Sequence, residues 1–148
     1  MPAAKAVSLS VALMPSYDCN GSLMIIPGSG RRLVATVGPT PPEHHRQSLR
    51  RQDMGVPDQR SVTELVEQAG RIHTITGPAG SAVLFDCNAM HGSAGNITPY
   101  PRCNLFVVYN SVDNALVAPF AADEPRPGYL ASRDFTPLGR SADPSPAG

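Results

Sequence analysis

Four histidines stand in the sequence, His44, His45, His73 and His91, and none has Asp or Glu two residues later. Imidazole is both the commonest metal ligand and a proton carrier near neutral pH, so these positions mark where such chemistry can sit. His44 and His45 fall on a predicted helix without an i+4 partner, which reads as exposed helix surface. His73 lies in the strand-like run RIHTIT and faces either solvent or a cavity. His91 differs in its surroundings. The segment SAVLFDCNAMHGSAGNITPYPRCNLFVVYN sets it just past one predicted strand, with Arg102 eleven residues later at the start of the next. If those strands are neighbours, the two side chains come together. A neutral imidazole can hold iron, and the planar fork of an arginine matches a carboxylate. His and Arg around a strand, turn and strand are common, so spacing alone does not decide the matter.

The elements that must position these residues are short and punctuated. Thirteen Gly and 16 Pro make up about a fifth of the 148 residues, against roughly 12% on average, and they separate short apolar runs. That is the pattern of a mostly β protein with helices inserted. Strands are predicted over residues 7–13 (VSLSVAL), 23–26, 33–37, 71–76, 81–86 and 104–110, from alternating or short apolar runs closed by turn residues.

Two helices are predicted between them. In TPPEHHRQSLRRQDMG, Thr40 caps, Pro41 takes the first position, Glu43 completes a capping box, Arg50 and Arg51 oppose the dipole and Gly55 terminates. In the second, Ser61 and Glu64 repeat the box, and Val62, Leu65, Val66 and Ala69 form one apolar stripe before Gly70. The last residues, SADPSPAG, carry no apolar side chain larger than Ala, which predicts a disordered tail over 139–148.

Composition excludes several partners. Twelve basic and twelve acidic residues cancel, leaving no cationic field for nucleic acid or an anionic membrane. No apolar run approaches the ~20 residues of a membrane span. Three cysteines, Cys19, Cys87 and Cys103, lack C-x-x-C spacing and support neither a disulfide framework nor a zinc knuckle. Ser8, Ser10 and Pro15 dilute the apolar N-terminal stretch below a signal-peptide core, so a reducing cytoplasm is the expected compartment.

Four segments, NGSLMIIPGS, GPTPPEHHRQSLRRQDMGVPD, GPAGSAVLFDCNAMHGSAGNITPYPRCNLFVVYNSVDN and PRPGYLASRDF, resemble the ectoine hydroxylases, a branch of the phytanoyl-CoA dioxygenase group of iron(II) and 2-oxoglutarate enzymes. The resemblance runs in order through about residues 6–137, across loops as well as strands. It implies a partial double-stranded β-helix (jelly roll, cupin-like) over residues 1–138. It further implies Fe(II) as cofactor, 2-oxoglutarate as cosubstrate, O2 and the compatible solute ectoine as substrates, 5-hydroxyectoine as product, and a possible homodimer.

Residue roles follow from the resemblance alone. His91 in MHGS matches the distal histidine of the iron triad, and so is both metal ligand and catalytic residue. Arg102 in YPRCN matches the residue pairing with the far carboxylate of 2-oxoglutarate, with Ser93 beside it. Phe85 and Phe106 match aromatic walls of the ectoine pocket, whose flat faces suit a delocalised cation, although both also read as ordinary inward-facing core aromatics. Asn104 can supply a polar contact.

Departures stand beside these matches. The family takes its other two iron ligands from an H-x-D motif, and this sequence holds none. Gly30 stands where the family has His. The expected function is therefore that of the C-terminal portion of a dioxygenase, inactive on its own, with a noncatalytic β-sheet remnant or binding module as the alternative. A jelly roll draws strands from both chain halves, so the isolated chain is expected to be oligomeric or poorly soluble.

Overall fold

A computed structural model describes residues 5–34, 43, 46, 56–119 and 122–139. Apart from Glu43 and Arg46, the first predicted helix lies outside the described residues, as do the His44 and His45 pair on it and nearly all of the predicted tail. Among the described residues there are six strands: β1 (Ala6–Ala12), β2 (Leu23–Ile25), β3 (His73–Thr74), β4 (Ala82–Asp86), β5 (His91–Ser93) and β6 (Asn104–Asn110). They form two three-stranded antiparallel sheets in the orders β4-β1-β6 and β3-β2-β5. The sheets face one another, as a double-stranded β-helix requires, and Ser10, Ala12, Asn104, Leu23 and Ile75 line one small cavity between them.

The central strand inverts what its letters suggest. Alternation in VSLSVAL predicts Val7, Leu9 and Val11 on the buried side, yet Val7 is 42% exposed while Ser8 is 2% exposed. The inward face is Ala6, Ser8, Ser10 and Ala12, all buried. Small side chains on the middle strand leave a trough that larger residues from its neighbours fill. Ser8 sits opposite Phe85 and Val108, and Ser10 opposite Val83 and Phe106. Both buried hydroxyls find partners: Ser8 Oγ lies 3.1 Å from Cys87 Sγ, and Ser10 Oγ accepts from Asn104 Nδ2 at 3.4 Å. Burial without such bonds would be costly.

The turn from β1 to β2 carries the second sheet under the first. Fully buried Asn20 accepts the Tyr17 N–H at 2.9 Å and donates to the Pro15 carbonyl at 3.1 Å. Gly21 follows at φ 82°, where a Cβ would stand 3.0 Å from the Ala94 carbonyl oxygen, so any side chain would be both strained and crowded. Ser16 then bridges to Gly77, and its hydroxyl lies 2.7 Å from Ser22 Oγ.

One α-helix, α1 (Gln59–Ala69), is present among the described residues. It starts earlier than the Ser61 box predicts, because Asp58 is the N-cap and accepts from the Ser61 N–H at 2.9 Å and hydroxyl at 2.7 Å. Glu64, expected to cap, instead bonds Arg32 at 2.7 Å and Arg60 at 3.0 Å. Of the apolar stripe only Leu65 is fully buried. Gly70 ends the helix at φ 70° with its N–H on the Val66 carbonyl. Leu33 and Val34 belong to no strand, and the rest of the strand predicted over 33–37 lies outside the described residues.

Candidate active site

Arg102 reaches the strand that carries His91, bonding two residues along from it, by a different route from the predicted one. The strands flanking that segment, β4 and β6, are not neighbours, since β1 lies between them. His91 begins its own strand, β5, in the other sheet. Three residues with a central Gly92 gave no alternating signal, which is why β5 was not visible in the sequence. On β5, His91 and Ser93 share the face turned toward the first sheet. Arg102, just before β6, reaches across and donates from Nη1 to Ser93 Oγ at 2.9 Å.

The imidazole is oriented by backbone. Its Nδ1 lies 2.8 Å from the Ala89 carbonyl oxygen. A carbonyl only accepts, so Nδ1 carries the proton and Nε2 keeps its lone pair free. Metal-binding histidines are held in this manner. The loop presenting Ala89 is itself fixed: Asp86 accepts the Asn88 N–H on Oδ1 and the Ala89 N–H on its carbonyl, both at 2.8 Å, and the Ser29 hydroxyl accepts the Met90 N–H at 2.7 Å. Ser29, Asp86 and the Ala89 carbonyl are supports that sequence reasoning missed. Nothing in a letter marks a main-chain acceptor.

Two aromatic rings wall the imidazole. Phe85 lies edge-on to His91 with centroids 5.0 Å apart and edge-on to Phe106 at 5.9 Å. Both rings project inward over the Ser8 and Ser10 trough, an arrangement that gives area to a ligand's apolar or cationic face. Asn104 lies deeper, its amide on Ser10 Oγ. Arg102 is partly shielded from water, and that burial lowers its pKa. It nonetheless stays charged, because a guanidinium does not deprotonate in proteins. Among the described residues no carboxylate pairs with it. A largely exposed cation with unused donors beside a hydroxyl is the chemistry of an anion clamp.

The remaining candidates fall apart from this cluster or at its rim. His73 sits opposite Ile25, whose other neighbour is His91, so all three occupy one face of the second sheet, with His73 exposed. At Gly30 a Cβ would stand 3.2 Å from Asp86 Oδ2 and 3.3 Å from the Ala89 nitrogen, leaving little room for the family's His on this backbone. No three His, Cys, Asp or Glu side chains converge among the described residues. By themselves they do not fit an iron ion, since His91 alone offers a single nitrogen donor.

Comparison with known proteins bears on this geometry. The family model described as phytanoyl-CoA dioxygenase (PhyH) matches residues 1–103. The chain belongs to the phytanoyl-CoA dioxygenase family. Within it, the chain is 60% identical over 138 residues to an ectoine dioxygenase of Nocardia farcinica and 52% identical over 139 residues to one of Stutzerimonas stutzeri. Each alignment covers 93% of this chain and 46% of the relative, so this phytanoyl-CoA dioxygenase chain spans just under half the length of those proteins. The crystal structure of EctD from S. alaskensis with 2-oxoglutarate and 5-hydroxyectoine superposes with TM-score 0.71 at 45% identity, covering 90% of this chain and 40% of that one. The same protein with bound Fe gives TM-score 0.70 at 42% identity, covering 93% of this chain and 42% of that one. The mostly β, cupin-like jelly-roll architecture is thereby established. No helix among the described residues is long and apolar enough to cross a membrane.

Proposed function

We propose that this chain is the C-terminal portion of an iron(II)- and 2-oxoglutarate-dependent ectoine hydroxylase, converting ectoine to 5-hydroxyectoine when two further iron ligands are supplied. The observation that carries the reading is the hydrogen bond from Arg102 to Ser93, one residue pair along β5 from a histidine whose Nε2 is free. In this reading Arg102 clamps the distal carboxylate of 2-oxoglutarate, with Ser93 adding a hydroxyl. His91 furnishes one metal ligand, Phe85 and Phe106 flank the solute ring, and Asn104 contributes a polar contact. The two other ligands come from an H-x-D segment on polypeptide equivalent to the share of the relatives that this chain does not span. Similarity to the ectoine dioxygenases of N. farcinica and S. stutzeri supports the choice of substrate.

The site's place in the sandwich supports complementation. Among the described residues both β5 and β6 end their sheets, and the Arg102–Ser93 bond puts those two ends on the same flank. Additional strands and ligands thus have direct access to His91.

A second reading, a noncatalytic binding module, draws on the lack of a three-ligand cluster among the described residues. Mixing decides between them. The chain is combined with the N-terminal half of the S. alaskensis protein, Fe(II), 2-oxoglutarate and ectoine, and succinate and 5-hydroxyectoine are measured by chromatography. Turnover is expected from the mixture, none from either half alone, and a loss of at least ~100-fold with His91→Ala. A mixture that forms a stable complex yet makes no succinate overturns the hydroxylase reading in favour of the binding module.

A further inference from the structure

The ladder between β2 and β5 ends in a rung that is closed through a side chain. Its pairs run Leu23 with Ser93, Met24 with Gly92 and Ile25 with His91, so the next facing pair is Ile26 with Met90. The Ile26 N–H donates to the Met90 carbonyl at 2.9 Å, which marks this as a pair that would ordinarily exchange two main-chain bonds. The return bond takes a detour. The Met90 N–H donates to Ser29 Oγ at 2.7 Å, and that hydroxyl donates to the Ile26 carbonyl at 2.7 Å. One oxygen atom is thus interposed in the rung.

Local sequence puts that oxygen there. Ile26, Pro27, Gly28 and Ser29 form a turn closed by the Ser29 N–H on the Ile26 carbonyl at 3.3 Å. Proline at its second position and Gly28 at φ 76° and ψ −6° at its third are the type II pattern. The turn folds Ser29 back over Ile26, where it is 3% exposed, so its hydroxyl is committed to these two partners. Met90 itself stands between His91 and Ala89, whose carbonyl accepts the imidazole Nδ1 proton at 2.8 Å. The width of the Met90 rung therefore sets where that carbonyl lies relative to the ring. With a hydroxyl between them, the Met90 N–H is held farther from the Ile26 carbonyl than the roughly 2.9 Å of a direct bond.

We propose that Ser29 is a positioning residue for His91: its hydroxyl is a one-atom spacer that holds the last β2–β5 rung open and so aims the Ala89 carbonyl at the imidazole Nδ1. Without the hydroxyl, either Met90 closes directly onto the Ile26 carbonyl or its N–H loses its partner, which is costly away from water. Both shift residues 89–91 against β2 and release the ring. The bearing of the spacer on hydroxylation rests on the reading proposed above, whereas the spacer itself needs neither iron nor substrate.

Nitrogen-15 spectroscopy of the full chain tests it at about pH 8.5, where imidazoles of ordinary pKa are neutral. The wild type is expected to carry the His91 ring proton on Nδ1 alone. Ser29→Ala is expected to show exchange between the two tautomers, and Ser29→Thr, which restores a hydroxyl, to return to the Nδ1 form. A single Nδ1 tautomer in Ser29→Ala, or equal loss of it in both variants, overturns the proposal. In the assembly complemented with the N-terminal half of the S. alaskensis protein, Ser29→Ala should lower kcat about 10-fold while the KM for 2-oxoglutarate stays within about 2-fold. A kcat equal to that of the wild type overturns the positioning role. If the wild-type assembly makes no product, the hydroxylase reading fails and the tautomers alone decide. Should Ser29→Ala not fold, the wild type decides: a Met90 amide slow to exchange with solvent supports the spacer, and one as fast as an open loop overturns it.

Discussion

At the residue scale, Arg102 carries the sharpest expectation, because among the described residues its charge is answered by the Ser93 hydroxyl and by no carboxylate. Hydrogen bonds involving a charged group contribute about 1.5–3 kcal/mol, so Arg102→Ala in the complemented assembly should raise the KM for 2-oxoglutarate about 10–100-fold. Arg102→Lys should recover only part of this, since an ammonium cannot present two parallel donors to one carboxylate. Steady-state kinetics with 2-oxoglutarate as the varied substrate measures both, and an unchanged KM in Arg102→Ala would remove it from the clamp. Residue type, order and family resemblance singled out His91 and Arg102. The bond that brings Arg102 to the strand of His91 was not legible, because it runs through Ser93 on a strand of three residues in the other sheet.

Helix α1 is tuned by two carboxylates, Asp58 at its N-cap and Glu64 at its middle. Bonds from Ser61 hold the Asp58 carboxyl below its ordinary value of 3.8, and hydrogen bonds from Arg32 and Arg60 hold Glu64 below 4.5. A carboxylate with a depressed folded pKa gives stability that is fully present above the ordinary value and is lost as pH falls through the depressed one. The helical signal at 222 nm should therefore be flat from pH 7 to about 5 and decline below pH 4. In Asp58→Asn, which keeps an acceptor at the cap but cannot ionise, the acid-side decline should be shallower. An identical profile in wild type and variant would count against the cap as an acid-sensitive feature.

The same scale shows where sequence reading fails. The run 104–110 was read to its boundaries because apolar residues of high β propensity are fenced by turn residues on both sides. For β1, the strand was legible but its faces were not. Polarity predicts Val, Leu and Val inside, whereas the requirement for a trough under Phe85 and Phe106 puts Ala and Ser there. The helix start was missed by three residues because Asp58 competes with Ser61 as cap, and the wider spacing back to Arg32 is invisible to a linear pattern.

At the scale of the whole molecule, burial is thin. Among the described residues the fully buried apolar side chains are Ala6, Ala12, Leu23, Ile26 and Leu65, while Leu84, Leu105, Phe106, Val108 and Tyr109 stand exposed on the first sheet. Such a chain should bind a dye that fluoresces on apolar surface and should melt over a broad range. Adding the N-terminal half of the S. alaskensis protein should quench the dye and sharpen the transition, as partner binding stabilises the folded form by mass action. Dye binding unaffected by a partner that demonstrably associates would place the exposed faces outside the contact. The fold class was legible as short strands broken by Gly and Pro, but the pairing order of those strands was not, since long-range pairing leaves no local mark.

Because the imidazole is steered by the main chain at Ala89, the identity of that side chain is nearly irrelevant to the aim of the ring. A saturation library across 86–90 should thus tolerate wide variety at 88 and 89 and stay intolerant at Asp86, with a matching constraint at Ser29, sixty-one positions before Met90.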